Sequence, residues 1–392
     1  MQLTAICSRV SCSYMHYNDR YIRPYIKDFL TEKMVFLGGP RQVGKTTLCL
    51  SFLKPDHRTN KNYLNWDDIH SKPLLKKGEI PTSGLLVIDE IHKFKNWRNL
   101  IKGFYDKRAD DQNFLVTGSA RLDYYRRGGD SLLGRYRYLR LHPLSLPELD
   151  INFNKTDLDT LLKFGGFPEP FFGGSEKKLK LWNRERLHRI VNDDIRDLEA
   201  LREFNSIEIL AEALPDRVGS MLSLKALSED LQVSPHTVSH WIDILEKVYY
   251  CYRISPFGAP KIRALKKEQK LCLWDWSAVQ NDGARFENLV ASHLLKYCHF
   301  HEDTEGETME LRYLRDTDGR EVDFVVLKNK KPIFAVECKT GEGSLSKHIP
   351  YFKDRTNIPN FYQVHRGTKD YIAIKNCRVL PFEIFCKDVG LV

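Results

Sequence analysis

The apolar positions in the first 150 residues fall into short solid runs separated by polar, amphipathic stretches. Met34 to Leu37, Tyr63 to Trp66, Leu85 to Ile88 and Phe114 to Thr117 each read as a strand, the third buried on both faces, with Tyr138 to Leu141 as a fifth. Solid runs joined by amphipathic connections predict an α/β sheet. From about Asp157 to Leu214 the period lengthens to that of helices, broken at Gly165-Gly-Phe-Pro168 and at Gly173-Gly174. Residues 220–256 read as a small helical unit ending in a hairpin. A long helix over Phe286 to Tyr297 then precedes several short strands, the pattern of a second α/β unit.

A chain of 392 residues exceeds one ordinary domain. Its apolar and charged fractions are those of a soluble globular protein. No apolar run approaches the roughly 20 residues that span a bilayer, and Met1 to Arg9 lacks the basic start of a secretory leader. The expectation is a cytoplasmic protein with no membrane partner. Nine cysteines form no C-x-x-C pair and no zinc-like Cys/His spacing, which reads as reduced thiols. The net charge of +9 is uneven: residues 1–150 hold 25 Lys+Arg against 16 Asp+Glu, and the remainder 36 of each. A basic surface attracts nucleic acid or simple phosphates, so charge alone leaves the partner open.

Gly39, Pro40, Arg41, Gln42, Val43, Gly44, Lys45 and Thr46 satisfy G-x-x-x-x-G-K-[ST] between an expected buried strand and a helix expected to run on to Leu53. In that context the glycines let consecutive N–H groups wrap a phosphate, and the following helix, through Thr46 and Thr47, adds its positive end. Lys45 would bridge the β- and γ-phosphates of ATP, and Thr46 would offer its hydroxyl to Mg²⁺. Leu85-Leu-Val-Ile-Asp89-Glu90 supplies the second half. Asp89 would hold the Mg²⁺ shell, and Glu90 would orient and polarise the attacking water, making both Lys45 and Glu90 catalytic. Thr117-Gly-Ser119 ends the next strand, where a polar side chain can sense the γ-phosphate. Arg121, Arg135 and Arg137 are candidate fingers, supplied in cis or from another subunit of a homo-oligomer.

The segments GPRQVGKTTL, LLVIDEIHKFKNWRNLIKGFYD, FLVTGSARL and SLLGRYRYLRLHPLSLPEL resemble AAA+-type ATPases of prokaryotes that carry a C-terminal domain of unknown function. The resemblance runs from about Tyr21 to about Gly343 and is looser beyond the ATPase part. It implies a P-loop NTPase with a RecA/AAA-like parallel sheet and the catalytic Glu beside the Walker B Asp, as Asp89-Glu90 stand. It implies no settled substrate.

In the middle, Leu222 to Leu231 reads as one helix, Gln232 to Pro235 as a turn with Ser234 as cap, and His236 to Val248 as a second helix before a wing strand. This is helix-turn-helix spacing, yet residues 225–253 hold three Lys/Arg against four Asp/Glu. Lys261, Arg263, Lys266, Lys267 and Lys270 follow and offer the missing positive charge for DNA.

Two β-rich runs around the polar turn Lys328 to Lys331 predict a hairpin. With the turn near Lys330, Asp323 lies opposite Glu337, and Lys339 shares their face. Facing carboxylates call for a cation or a proton between them. Asp followed by Glu-x-Lys on the next strand resembles the PD-(D/E)XK nuclease fold. The resemblance implies Glu287 on the preceding helix, Asp323 and Glu337 as ligands of a second metal, with Lys339 catalytic. Val322 stands where that fold usually has Pro.

The expected architecture is therefore α/β: a P-loop ATPase domain (1–150), a helical lid (151–215), a winged-helix-like domain (216–280) and a PD-(D/E)XK-like domain (281–392). The expected function is ATP hydrolysis coupled to action on DNA or another nucleic acid. A signalling or scaffold switch, whose C-terminal domain only binds a protein partner, is the competing class. A kinase is a third, less favoured because Glu90 suits water activation and no acceptor pocket is evident.

Overall fold

The computed structural model describes residues 20–118, 132, 134–195, 203–258 and 269–392. Ser119, Arg121, Lys261, Arg263, Lys266 and Lys267 lie outside the described residues. Two compact units emerge. One holds the described residues up to Pro143 with Lys247–Tyr249, and the other holds the described residues of Leu144–Glu246 and Tyr250–Val392. No described helix is long and apolar enough to cross a membrane.

The first unit is built on β1 (Met34–Gly38), β2 (Tyr63–Asn65), β3 (Leu85–Asp89), β4 (Asn113–Thr117) and β5 (Tyr136–Arg140). All neighbours are parallel, in the order β2-β3-β4-β1-β5. On one face Phe36, Ile88, Phe114 and Val116 pack with Trp97 and Ile101 of the helix Trp97–Asp106. Val35, Leu37, Val87 and Leu115, which alternate with them, are equally buried. Burial on both faces is why these strands read as solid apolar runs. The fifth strand starts at Tyr136 rather than Tyr138, because its register on β1 sets Tyr136 against Met34 and its ring stacks on Phe36 at 4.5 Å. The helix after the loop spans only Lys45–Leu50. Ser51 bonds back to the Leu48 carbonyl at 2.6 Å, and Pro55 cannot continue the ladder.

In the second unit an eight-stranded sheet forms from β6 (Cys251–Pro256), β7 (Lys270–Leu273), β8 (Met309–Arg315), β9 (Glu321–Lys328), β10 (Lys331–Lys339), β11 (Phe361–His365), β12 (Tyr371–Ile374) and β13 (Cys377–Pro381). Their order is β12-β13-β11-β10-β9-β8-β6-β7. Phe324, Val326, Phe334 and Val336 face the long helix Asp282–Glu305 through Phe286, Leu289 and Leu294. The alternate residues Val325, Leu327 and Ala335 face Ile349 and Phe352 of the helix His348–Lys353. The helix-turn-helix spacing appears as Leu224–Asp230, capped by Ser223, and Pro235–Lys247, whose first turn is capped by Ser234 through the Thr237 N–H at 3.1 Å. The strand after it, β6, pairs with β7 and also with β8 through Ser255 and Pro256. The expected boundary near residue 280 thus runs through one sheet.

The hairpin of β9 and β10 turns on Asn329 and Lys330, both with left-handed backbone (φ 51° and 66°), the primed turn that matches strand twist. Lys328 pairs with Lys331, but a bulge between Pro332 and Phe334 shifts the register by one, so that Val336 faces Phe324. One step further Glu337 faces Asp323. Without the bulge, Val336 would stand there and Glu337 would change faces.

A buried ion pair fastens the long helix to the short helix Leu146–Leu149: Lys296 contacts Glu148 and donates to Ser145 Oγ at 2.6 Å. Both charged side chains are at most 5% exposed, so breaking the pair strands a charge. Lys296→Ala is expected to lower the stability of this unit by about 3–5 kcal/mol. The denaturant midpoint of its unfolding transition measures this, and a shift equivalent to under ~1 kcal/mol would contradict it.

Candidate functional site

Strand order positions the first site. Because β4 lies between β1 and β3, the C-terminal ends of three strands meet, carrying the glycine loop, Thr117 and Asp89. The loop needs unusual backbone: Gly39 and Gly44 have φ of 141° and 101°, and Gln42 has φ of 62°. A Cβ on Gly39 would stand 2.3 Å from the Leu141 carbonyl oxygen, so only glycine fits. The loop is also tied from outside the motif. The buried Arg20 guanidinium donates to the carbonyls of Val43 at 3.0 Å and His142 at 2.5 Å.

Lys45 is buried and donates from Nζ to the carbonyls of Gly39 at 2.9 Å and Pro40 at 2.7 Å, within its own loop. Asp89, 2% exposed, is a hub for hydroxyl donors. Oδ2 accepts from Thr46 Oγ1 and from Tyr63 OH, each at 2.8 Å, and Oδ1 accepts from Thr117 Oγ1. Burial and the Asp89 charge push the Tyr63 phenol above its ordinary range, so it remains a donor. An ammonium, a hydroxyl and a carboxylate converging beside a glycine loop fit a magnesium–nucleotide, whose hard cation takes oxygen ligands.

Glu90 follows with left-handed backbone (φ 56°), an uncommon state for a residue other than glycine. Burial first, then the Asp89 charge, raises its carboxyl above the usual range, against the pull of Lys45, Lys93 and Arg41. The buried His92 stands with Nε2 3.6 Å from Glu90 Oε2. Arg135 is paired with Asp106 (2.8 Å), while Arg137 lies 4.0 Å from Glu32 and covers the Phe29 ring. Tyr63 and Arg20 were missed in the sequence because no fixed spacing ties them to either motif, and His92, two residues after Glu90, was not singled out; the strand end at Thr117 was signalled.

The second cluster brings some of the expected residues together, around a lysine. Lys270 Nζ, on a side chain 2% exposed, lies 2.7 Å from Glu287 Oε1, 2.5 Å from Glu321 Oε1 and 3.1 Å from Asp323 Oδ1. Asp323 Oδ2 accepts the Cys338 N–H at 2.8 Å, and Arg315 reaches the second oxygen of Glu321 at 3.1 Å. Glu337 pairs instead with the half-exposed Lys339, at 2.7 Å. Among the described residues no three His, Cys, Asp or Glu side chains converge with metal-holding geometry. Burial, then the Asp323 charge, raises the carboxyls of both Glu287 and Glu337. Lys270 is raised as well: burial opposes its charge, but Asp323, Glu287 and Glu321 outweigh it. The ammonium stays charged, and the carboxylates compete for it.

Lys270 therefore corrects one expectation. It was grouped with the basic residues available to DNA, yet it is 1% exposed and committed to three carboxylates. The helix-turn-helix region is similarly self-neutralised, since Arg253 pairs with Asp243 at 2.5 Å and Glu246 at 2.7 Å.

Residues 31–150 match the AAA domain family. Residues 155–281 and 282–385 match two domains of unknown function, DUF8612 and DUF4143. An uncharacterized protein of Haemophilus influenzae is 23% identical over 347 residues, 79% of this chain and 83% of that protein. One from Methanocaldococcus jannaschii is 25% identical over 400 residues, covering 84% and 79%. One from Mycobacterium tuberculosis is 23% identical over 276 residues, 70% of this chain and 61% of its own length, so the match spans less than two thirds of that relative. Among solved structures, the ORC1 protein of Aeropyrum pernix in complex with DNA has a TM-score of 0.33 and 13% identity, covering 71% of this chain and 92% of that one. The AAA match encloses the glycine loop, Asp89 and Glu90, and the chain thus carries an ATP-binding, AAA-type P-loop ATPase domain over residues 31–150.

Proposed function

We propose that the chain is a cytosolic ATPase that couples hydrolysis to work on nucleic acid. In this reading residues 1–150 are the engine, 151–215 a helical lid, 216–280 a winged-helix-like docking piece and 281–392 a nuclease-like unit. The observation that carries the ATPase part is the hub at Asp89, where Thr46, Tyr63 and Thr117 converge beside the loop that holds Lys45.

When bound, magnesium–ATP supplies the scissile phosphoanhydride and a Lewis acid on its phosphate oxygens. The loop from Gly39 to Thr47 would bind the phosphates through backbone N–H groups, and Lys45, now on the Gly39 and Pro40 carbonyls, would turn to phosphate oxygens. Thr46 and Asp89 would hold the cation, with Tyr63 and Thr117 fixing the Asp89 rotamer. Glu90 orients the water and accepts its proton. Its raised carboxyl brings it closer to neutrality, which improves a general base. Arg135 and Arg137 remain the described finger candidates, supplied in cis or by a neighbouring subunit.

In the nuclease-like unit, Glu287, Asp323 and Glu337 are the residues assigned to a cation, and Lys339 to the phosphate or the attacking water. A second reading, an ATP-dependent scaffold switch, draws support from the self-paired charges of Arg253. Stimulation of turnover by DNA supports the first reading. Indifference to DNA together with ATP-dependent self-association supports the second.

Lys45→Ala is expected to abolish ATP binding or turnover, and intact hydrolysis would overturn the site. Glu90→Gln is expected to keep nucleotide binding while lowering turnover about 10²-fold or more, in a steady-state phosphate-release assay. Asp323→Ala removes any Mg²⁺- or Mn²⁺-dependent DNA cleavage the chain has; cleavage that persists unchanged eliminates these carboxylates.

A further inference from the structure

The turn and short helix that follow β2 carry a basic concavity that neither nucleotide motif accounts for. It measures about 440 Å³ and is lined by Ile69 and by Lys72, Pro73, Lys76 and Lys77 of the helix Ser71–Lys77. Part of the basic excess of residues 1–150 gathers here. Lys72 and Lys76 stand one turn apart, so their stems share a face. Both ammonium groups lie over the ring of the buried Trp66, with Nζ 5.3 Å and 5.8 Å from its centroid. Phe94 backs that ring, stacked at 4.8 Å. An aromatic face holds cations in place without cancelling their charge. The carboxylates just before the helix are engaged elsewhere: Asp67 contacts Lys93, and Asp68 accepts from the Ser71 N–H at 2.8 Å and its Oγ at 2.6 Å. No carboxylate lines the concavity, and among the described residues none of its three lysines has an ion-pair partner.

Three aligned ammonium groups beside an isoleucine that is 77% exposed call for an anion with an apolar part. A strand of nucleic acid supplies both, with phosphates at regular intervals and the faces of sugars and bases between them. The volume is that of a pocket for one small group, which suits an unpaired nucleotide better than the side of a duplex. We propose that this concavity is a phosphate-backbone site for single-stranded nucleic acid on the ATPase unit itself. The proposal takes the class of partner from the nucleic-acid reading above and assigns it a surface apart from the helix-turn-helix region. That region spends Arg253 on Asp243 and Glu246, whereas these lysines keep their charge for a ligand. The site also adjoins the nucleotide centre: the Trp66 N–H donates to the Asp89 carbonyl at 2.9 Å, so its floor is one backbone bond from the end of β3.

The test uses the full chain with short labelled strands of oligo-dT and oligo-rU, read by fluorescence anisotropy across a salt series. Lys72→Gln, Lys76→Gln and Lys77→Gln together are expected to weaken binding about tenfold or more. The slope of log affinity against log salt should fall by about 2, since each phosphate contact on a single strand contributes roughly 0.7. The same exchange at Lys27, Lys102 and Lys107, none of which lines the concavity, changes net charge equally and should leave affinity and slope nearly as they were. Ile69→Ser is expected to weaken binding several-fold without moving the slope, because it removes apolar contact and no charge. The lysines and Ile69 are exposed, so the variants should keep the melting temperature of the unaltered chain. Equal losses in the two triple variants would overturn the site, leaving net charge as the cause. Binding that survives the change at Lys72, Lys76 and Lys77 with its slope intact also overturns it, while the nucleic-acid reading stands. An unaltered chain that binds no strand ends both. Tighter binding of a duplex, or of a poly-glutamate peptide, removes the single strand as the occupant.

Discussion

A carboxylate removed from water at the end of a β-strand must be given donors, and both units are organised around that requirement. In the first, Asp89 terminates β3 and collects three hydroxyl groups, from the loop helix, from β2 and from β4. In the second, Glu321 and Asp323 open β9 and share one ammonium with Glu287. The donors dictate which elements must lie side by side. Tyr63 reaches Asp89 only because β2 flanks β3, and Thr117 only because β4 separates β1 from β3.

The two solutions differ in what they permit. Hydroxyl groups are neutral, so they hold the Asp89 side chain in place and still leave its charge to a cation. An ammonium answers the charge itself. The first site is poised for a ligand, whereas the second is already neutralised in part. The same contrast separates Lys45 from Lys270, since one leans on exchangeable carbonyl oxygens and the other is locked among carboxylates.

Much of this was legible in the sequence wherever the chemistry is contiguous. The glycine loop, the Asp-Glu strand end and the β9–β10 hairpin sit in unbroken segments, and their spacing carries their geometry. Residues joined only by folding were not legible. Tyr63 stands 26 positions from Asp89 and Lys270 stands 53 from Asp323, with no periodicity to connect them. Lys270 was misread because a lysine after a basic run looks solvated until its strand is seen to be buried. The facing of Asp323 and Glu337 was anticipated from a turn centred on Lys330. It arises instead from a two-residue turn together with a bulge at Pro332 to Phe334, two departures whose combination restores the same register.

Arg20 lies eleven positions before the start of the AAA family match at residue 31. It nevertheless fastens the carbonyls of Val43 and His142, and Ile22 and Ile26 beside it are buried. The folding unit therefore begins ahead of the residues that match the AAA domain family. An excised domain trimmed to the matched residues would keep every motif residue and lose the strut that braces the loop. A fragment that includes Arg20 keeps this brace on the loop.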